Sequence, residues 1–262
     1  MLKFFKKKII SIINFFGYEI THKSLKLQHS FFNLPQTIFE KKYNKKKDKL
    51  VIFDIGAHFG ESVSLFSKII NKFKLEFHCF EPNEKSFKEL CNNYKNKENI
   101  IFNNFALGNK NGRKNFFIFT RTGASSFLKV NKKSKWFIKR NKPKLTSEIL
   151  VKVETLDKYI KKNSIKRINL LKIDTQGAEL DVLIGARNAL KKNLIDLIDT
   201  SVLIGDVYEK KFNVYDFEKI LIPFGYKLVG IQSEGQQISI ISRPHLELRL
   251  IYCKKKIFDL LI

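Results

Sequence analysis

Three polar clusters in this 262-residue chain have residue types and spacings that could do chemistry. The first is Asp54-Ile55-Gly56-Ala57-His58-Phe59-Gly60. Gly56 and Gly60 let the backbone turn tightly and come close to a ligand. A helix starting behind them offers free N–H groups. Asp54 can accept hydrogen bonds from a ligand ammonium. The second is Glu81, in Cys79-Phe80-Glu81-Pro82. A carboxylate about 20 residues beyond a glycine turn suits a ribose diol, because two oxygens can accept from two hydroxyls. The third is Lys172-Ile173-Asp174-Thr175-Gln176-Gly177-Ala178-Glu179, where hydrogen-bonding side chains surround a glycine turn. Taken alone, Asp174 would cap a helix and Glu179 would complement its dipole.

The surrounding pattern places all three clusters at strand ends. Leu50–Phe53, Leu75–Phe80, Asn99–Phe105, Ile168–Ile173 and Leu194–Leu203 read as strands. Helical periods fill Gly60–Asn71, Glu84–Tyr94, Asp157–Lys162, Ala178–Leu190 and Tyr215–Leu221. Strand and helix taking turns predict an α/β, doubly wound, mostly parallel sheet. Tyr226–Ile231 and Glu247–Cys253 have no helix between them and predict an antiparallel hairpin at one edge. Gly112 to Glu154 breaks the rhythm and reads as an insertion with strands at Lys114–Thr120 and Glu148–Glu154. Ligands of such folds bind beyond the carboxyl ends of the strands. The fourth parallel strand lies beside the first, so Asp174 should face the same crevice as Asp54.

A dinucleotide site wants three glycines, and this loop has two, spaced G-x-x-x-G. That argues against an NAD-dependent dehydrogenase. An acidic residue ahead of the turn favours a cationic amino-acid moiety instead. S-adenosylmethionine carries both that ammonium and a ribose.

These motifs, with Ala106-Leu107-Gly108, Glu154-Thr155-Leu156-Asp157 and Leu183-Ile184-Gly185-Ala186, resemble in order the signatures of FkbM-type methyltransferases. The resemblance runs from about Leu50 to Gly230. It implies a class I, Rossmann-like fold with a seven-stranded sheet and S-adenosylmethionine as cofactor. It also implies methylation of hydroxyls, including those of sugars in surface glycans and glycolipids. Residue by residue, it puts Asp54, Gly56, Ala57 and Gly60 around the methionine end, Glu81 at the ribose, and Asn104 and Ala106 near adenine. Asp174 and Glu179 would line the methyl-transfer site, with Asp174 as proton acceptor and His58 as the reserve. Gly123-Ala124-Ser125-Ser126 matches a small-residue loop over the pocket. Ser201 departs from the pattern, since it stands where members of the family often carry Glu. His58 stands where Asn is commoner. No metal-ligand spacing is found among the histidines, so no metal is expected.

The chain carries 50 Lys+Arg against 25 Asp+Glu. Such an excess suits nucleic acid, a membrane surface or phosphorylated substrates. It also follows from a Lys-, Asn-, Ile- and Phe-rich composition with A+T-rich codons. Hydrophobic residues at 44% supply a true core and exclude a disordered basic tail. Three scattered cysteines fit a reducing, cytoplasmic setting. Residues 1–48 read as a basic helical extension and 49–262 as the methyltransferase domain. In the extension Leu2, Phe5, Ile9, Ile12, Ile13 and Phe16 share one face, an amphipathic segment that can pack on the domain or rest on an anionic membrane. The basic, aromatic stretch Lys129–Arg140 raises an RNA or DNA methyltransferase as a rival. No base-methylation motif or RNA-binding module accompanies it, so a small-molecule or glycan acceptor is the expected partner. A non-catalytic protein that keeps the fold is the other rival.

Overall fold

The structure is a computed structural model that describes residues 34–45, 47–134, 143–204, 206–209, 212–233 and 247–261. The amphipathic N-terminal segment and half of the basic Lys129–Arg140 stretch lie outside the described residues. Residues 34–42 form helix α1. Strands β1 (Lys49–Ile55), β2 (Lys74–Phe80), β3 (Ile100–Asn103), β7 (Ile168–Ile173) and β8 (Ile195–Leu203) are parallel neighbours in one sheet. With β9 (Tyr226–Ser233) and β10 (Glu247–Lys254), the sheet has seven strands in the order β3-β2-β1-β7-β8-β10-β9. β9 and β10 form the antiparallel edge, with β10 inserted between β8 and β9. The chain winds outward from β1 to β3 and returns to place β7 beside β1. That reversal opens a crevice at the carboxyl ends of β1 and β7.

Helices cover both faces, which is why β7 is buried along its whole length. On one face, α2 (Glu61–Ile69), α3 (Glu84–Asn93), α1 and α8 (Lys255–Phe258) close over Leu50, Ile52, Leu170 and Leu197. On the other, α4 (Leu156–Lys162), α5 (Glu179–Ile184), α6 (Arg187–Lys191) and α7 (Val214–Leu221) close over Phe53, Leu171 and Ile198. Side chains capping the helix starts include Asn83 on α3, Thr155 on α4 and the reciprocal Asn213–Asp216 pair on α7. A second, three-stranded sheet joins β4 (Ala106–Leu107), β6 (Leu145–Glu154) and β5 (Gly112–Phe119) beside the crevice.

The helix expected over Ala178–Leu190 is two helices, α5 and α6. The break follows from a close joint. A Cβ on Gly185 would lie 2.0 Å from the Gly108 carbonyl oxygen. The Asp157 N–H donates to the Gly185 carbonyl at 3.0 Å. The Asp157 carboxylate then accepts from the Asn188 and Ala189 N–H groups, 2.8 Å each, and starts α6. Gly185→Ala is expected to cost about 1–3 kcal/mol of unfolding free energy, read as a lower urea midpoint. Gly123→Ala is the neutral control, because its Cβ would meet nothing within 4 Å.

Candidate active site

Strand register builds the floor of the crevice. On the α2 face, Ile52, Leu170 and Leu197 are side-by-side neighbours in the apolar core. Two residues further along each strand, the same face carries Asp54, Lys172 and Asp199, again side by side. Arg249 on β10 stands opposite Ser201 and reaches back to Asp199. Its Nε donates to Asp199 Oδ1 at 2.5 Å and its Nη2 to Oδ2. Lys172 Nζ lies 3.1 Å from Asp54 Oδ1 and 3.8 Å from Asp174 Oδ2. The row therefore alternates minus, plus, minus, plus across four strands. Burial works against the Lys172 ammonium, but Asp54 and Asp174 outweigh it and hold its pKa above the usual lysine range.

Above this floor lies a cavity of about 320 Å³, within the range that small ligands occupy. Gly56, Ala57, His58, Glu81, Ala106 and Asp174 all line it. Gly56 has φ +83°, and a Cβ there would lie 1.9 Å from the Asp174 carbonyl oxygen. The glycine thus lets the first and third clusters touch. Glu81 accepts from the His58 and Asn83 N–H groups at 2.9 and 2.8 Å, one on each oxygen. Each oxygen keeps acceptor capacity toward the cavity. His58 bridges Glu61 at 3.0 Å and Thr122 Oγ1 at 2.8 Å, which ties the glycine turn to the small-residue loop.

Four predicted residues stand behind the wall rather than on it. Asp54 is fully buried below Lys172. Gly60 starts α2, and a Cβ there would strike the Tyr94 ring at 2.3 Å. Asn104 donates to the Glu81 carbonyl at 2.9 Å. Glu179 is buried and accepts from the Thr175 and Gly177 N–H groups at 2.8 and 2.9 Å. It braces the turn that presents Asp174. Gln176 donates to Asp174 Oδ1 at 2.8 Å, and Ser126 donates to the Gln176 carbonyl at 2.7 Å.

Asp199 and Arg249 also line the cavity, and sequence reasoning did not assign them to the site. The available signal was alternation: Asp199 and Ser201 sit two apart on β8, so both face the crevice. The apolar part of the wall is Phe80, Leu107, Phe116 and Phe127. His78 is occupied elsewhere, with Nδ1 2.8 Å from Tyr159 Oη. Among the described residues no group of three or more His, Cys, Asp and Glu side chains can hold a metal ion.

A sequence model of the family described as Methyltransferase FkbM domain matches residues 54–228, two thirds of the chain and the stretch that holds most of this site. The chain belongs to the FkbM methyltransferase family. The 2-O-methyltransferase NoeI of Sinorhizobium fredii (strain NBRC 101917 / NGR234) is 24% identical over 151 residues, 56% of this chain and 61% of that protein. The crystal structure of an FkbM methyltransferase from Methylobacillus flagellatus KT aligns with TM-score 0.51 at 16% identity, over 83% of this chain and 50% of that one. The chain thus spans about three fifths and one half of the lengths of these two relatives. Likeness at 16% identity shows the fold alone, and that fold is the class I, Rossmann-like one.

S-adenosylmethionine is the cofactor of this FkbM family, and the residues present fit it. The apolar wall suits a flat base, and Glu81 offers acceptors for a diol. The charged floor suits a zwitterionic methionine end. Thr175, on the cavity wall, has a buried hydroxyl without a partner. No described helix is long and apolar enough to cross a membrane.

Burial pushes the Glu81 and Glu179 carboxyls up to about 7, against the backbone N–H groups that favour their charged forms. Folding therefore binds protons that an unfolded glutamate, titrating near 4.5, releases. The stabilisation is full below that value and is lost as pH rises to about 7. Glu179→Gln is expected to flatten part of this slope. The check is the difference in urea midpoint between variant and wild type at pH 5 and pH 7, in which other titrating groups cancel.

Proposed function

We propose that this FkbM methyltransferase transfers the methyl group to a sugar hydroxyl of a surface glycan, a glycolipid or one of their precursors. The observation that carries the reading is Asp174, a half-exposed carboxylate on the cavity wall beside hydroxyl and amide side chains. A hydroxyl must lose its proton as it is methylated, and a positioned carboxylate can take that proton. Asp199 is less suited, because Arg249 occupies both of its oxygens. Ser201, Thr175 and Gln176 supply the donors and acceptors that a polyol needs. That a curated relative is named a 2-O-methyltransferase supports oxygen as the atom modified.

Bound S-adenosylmethionine supplies an activated methyl group. The chain's own residues supply positioning. The Gly56–Ala57 turn would place the methionine end, Glu81 would hold the ribose hydroxyls, and Ala106 with Leu107 would line the place of the base; all five line the cavity. Gly60, Asn104 and Glu179 hold the turns that carry these groups. His58 lines the cavity mouth through its contact with Thr122 and is the reserve proton acceptor.

Calorimetry should show binding of S-adenosylmethionine and of its demethylated product, and none of NAD. Glu81→Ala should weaken both by about 1.5–3 kcal/mol, the scale of hydrogen bonds to a charged group. Asp174→Asn should still bind S-adenosylmethionine, and at saturating cofactor should lower turnover by about 100-fold or more. Deleting the gene should leave surface glycans or glycolipids lighter by one CH₂ in their mass spectra. Unchanged spectra for both would remove the sugar acceptor from the reading.

A further inference from the structure

Asp54 has the residue type that suits an ammonium, yet a ligand in the cavity cannot reach it. Asp54 is 0% exposed and forms no part of the cavity wall. Lys172 covers it, with its ammonium 3.1 Å from Oδ1 and its side chain 11% exposed on the wall. What the cavity meets above β1 and β7 is therefore a cation. The anions that do face the cavity here are Asp174, 3.8 Å from the same ammonium, and Asp199, the cross-strand neighbour of Lys172.

A methionine end bears one carboxylate, one ammonium and the sulfonium. Charge complementarity turns the carboxylate toward the cation of this floor and the positive groups toward Asp174, since Arg249 already holds both oxygens of Asp199. On the cofactor reading above, we infer that Lys172 receives the α-carboxylate of S-adenosylmethionine, and that Asp54 is the positioning residue beneath it. A lysine buried without a counterion tends to give up its proton. Asp54 supplies the counterion on the core side and leaves ammonium donors to point outward. The ammonium has three donors, so one can meet Asp54 while others meet an arriving carboxylate. The expected pairing of Asp54 with the ligand ammonium is thereby replaced by an indirect role.

Decarboxylated S-adenosylmethionine separates the two assignments, because it keeps the ammonium, sulfonium, ribose and base. Calorimetry on the full chain should show wild type binding the intact cofactor roughly ten- to hundredfold more tightly than the decarboxylated form, the scale of one charged hydrogen bond. Lys172→Met should weaken the intact cofactor by that factor and leave the decarboxylated form unchanged. Since methionine leaves Asp54 buried without its ion pair, the double variant Asp54→Asn/Lys172→Met serves if the single one fails to fold. It should lose the preference in the same way. The inference is overturned if wild type binds the two ligands alike, or if a folded variant retains the wild-type preference. Wild type binding neither S-adenosylmethionine nor its demethylated product would instead bring down the cofactor reading, and the assignment with it.

Discussion

The buried charge row of Asp54, Lys172, Asp199 and Arg249 is the constraint on which this active site depends. Each member is costly to bury alone, on the order of several kcal/mol for an isolated ion. Together they neutralise in pairs, Asp54 with Lys172 and Asp199 with Arg249. The row forms only because β7 returns to lie beside β1 and because β10 inserts against β8. A slip of one residue in any of these strands would turn its charge into the opposite face, where Phe53, Leu171 and Ile198 pack. Register is thus held from below by apolar neighbours and from above by charge. Catalytic geometry and fold specificity rest on the same contacts.

Much of this was legible in the chain itself. The alternation of strand and helix, the antiparallel edge and the return of the Asp174 strand to the side of the Asp54 strand all follow from hydrophobic period and the topology it implies. Arg249 was hidden for a physical reason. Its place depends on which strand β10 pairs with, and a hairpin pattern does not say that the last strand inserts inside the edge. The glycines were legible as tight turns, but their neighbours were not. Gly56 admits the Asp174 carbonyl, Gly60 admits the Tyr94 ring and Gly185 admits the Gly108 carbonyl. A long helical period across Ala178–Leu190 could not reveal the break, because its cause is a backbone contact with a distant turn.

The residues that match the family divide into two places. Gly56, Glu81 and Asp174 line the cavity. Gly108, Thr155, Asp157 and Gly185 lie in the joint that starts α4 and α6 and fixes the small sheet against the large one. The joint matters to chemistry at one remove, since β4 begins with Ala106 and Leu107 on the cavity wall. A family signature therefore records both a ligand site and the packing that keeps its wall in place.

The net charge of +25 looks different against this site. The cavity wall itself mixes signs closely, with Glu81, Asp174 and Asp199 against Lys172 and Arg249. A wall of that kind does not attract a polyanion by long-range field, as a nucleic-acid groove does. It suits a compact ligand whose own charges alternate at similar spacing. Of the wall groups on β8 and β10, Asp199 and Ser201 fall inside the matched stretch 54–228 and Arg249 falls beyond it. Family likeness thus covers the β8 side of this corner of the wall, while the arginine that pairs with Asp199 comes from the last strand, outside it.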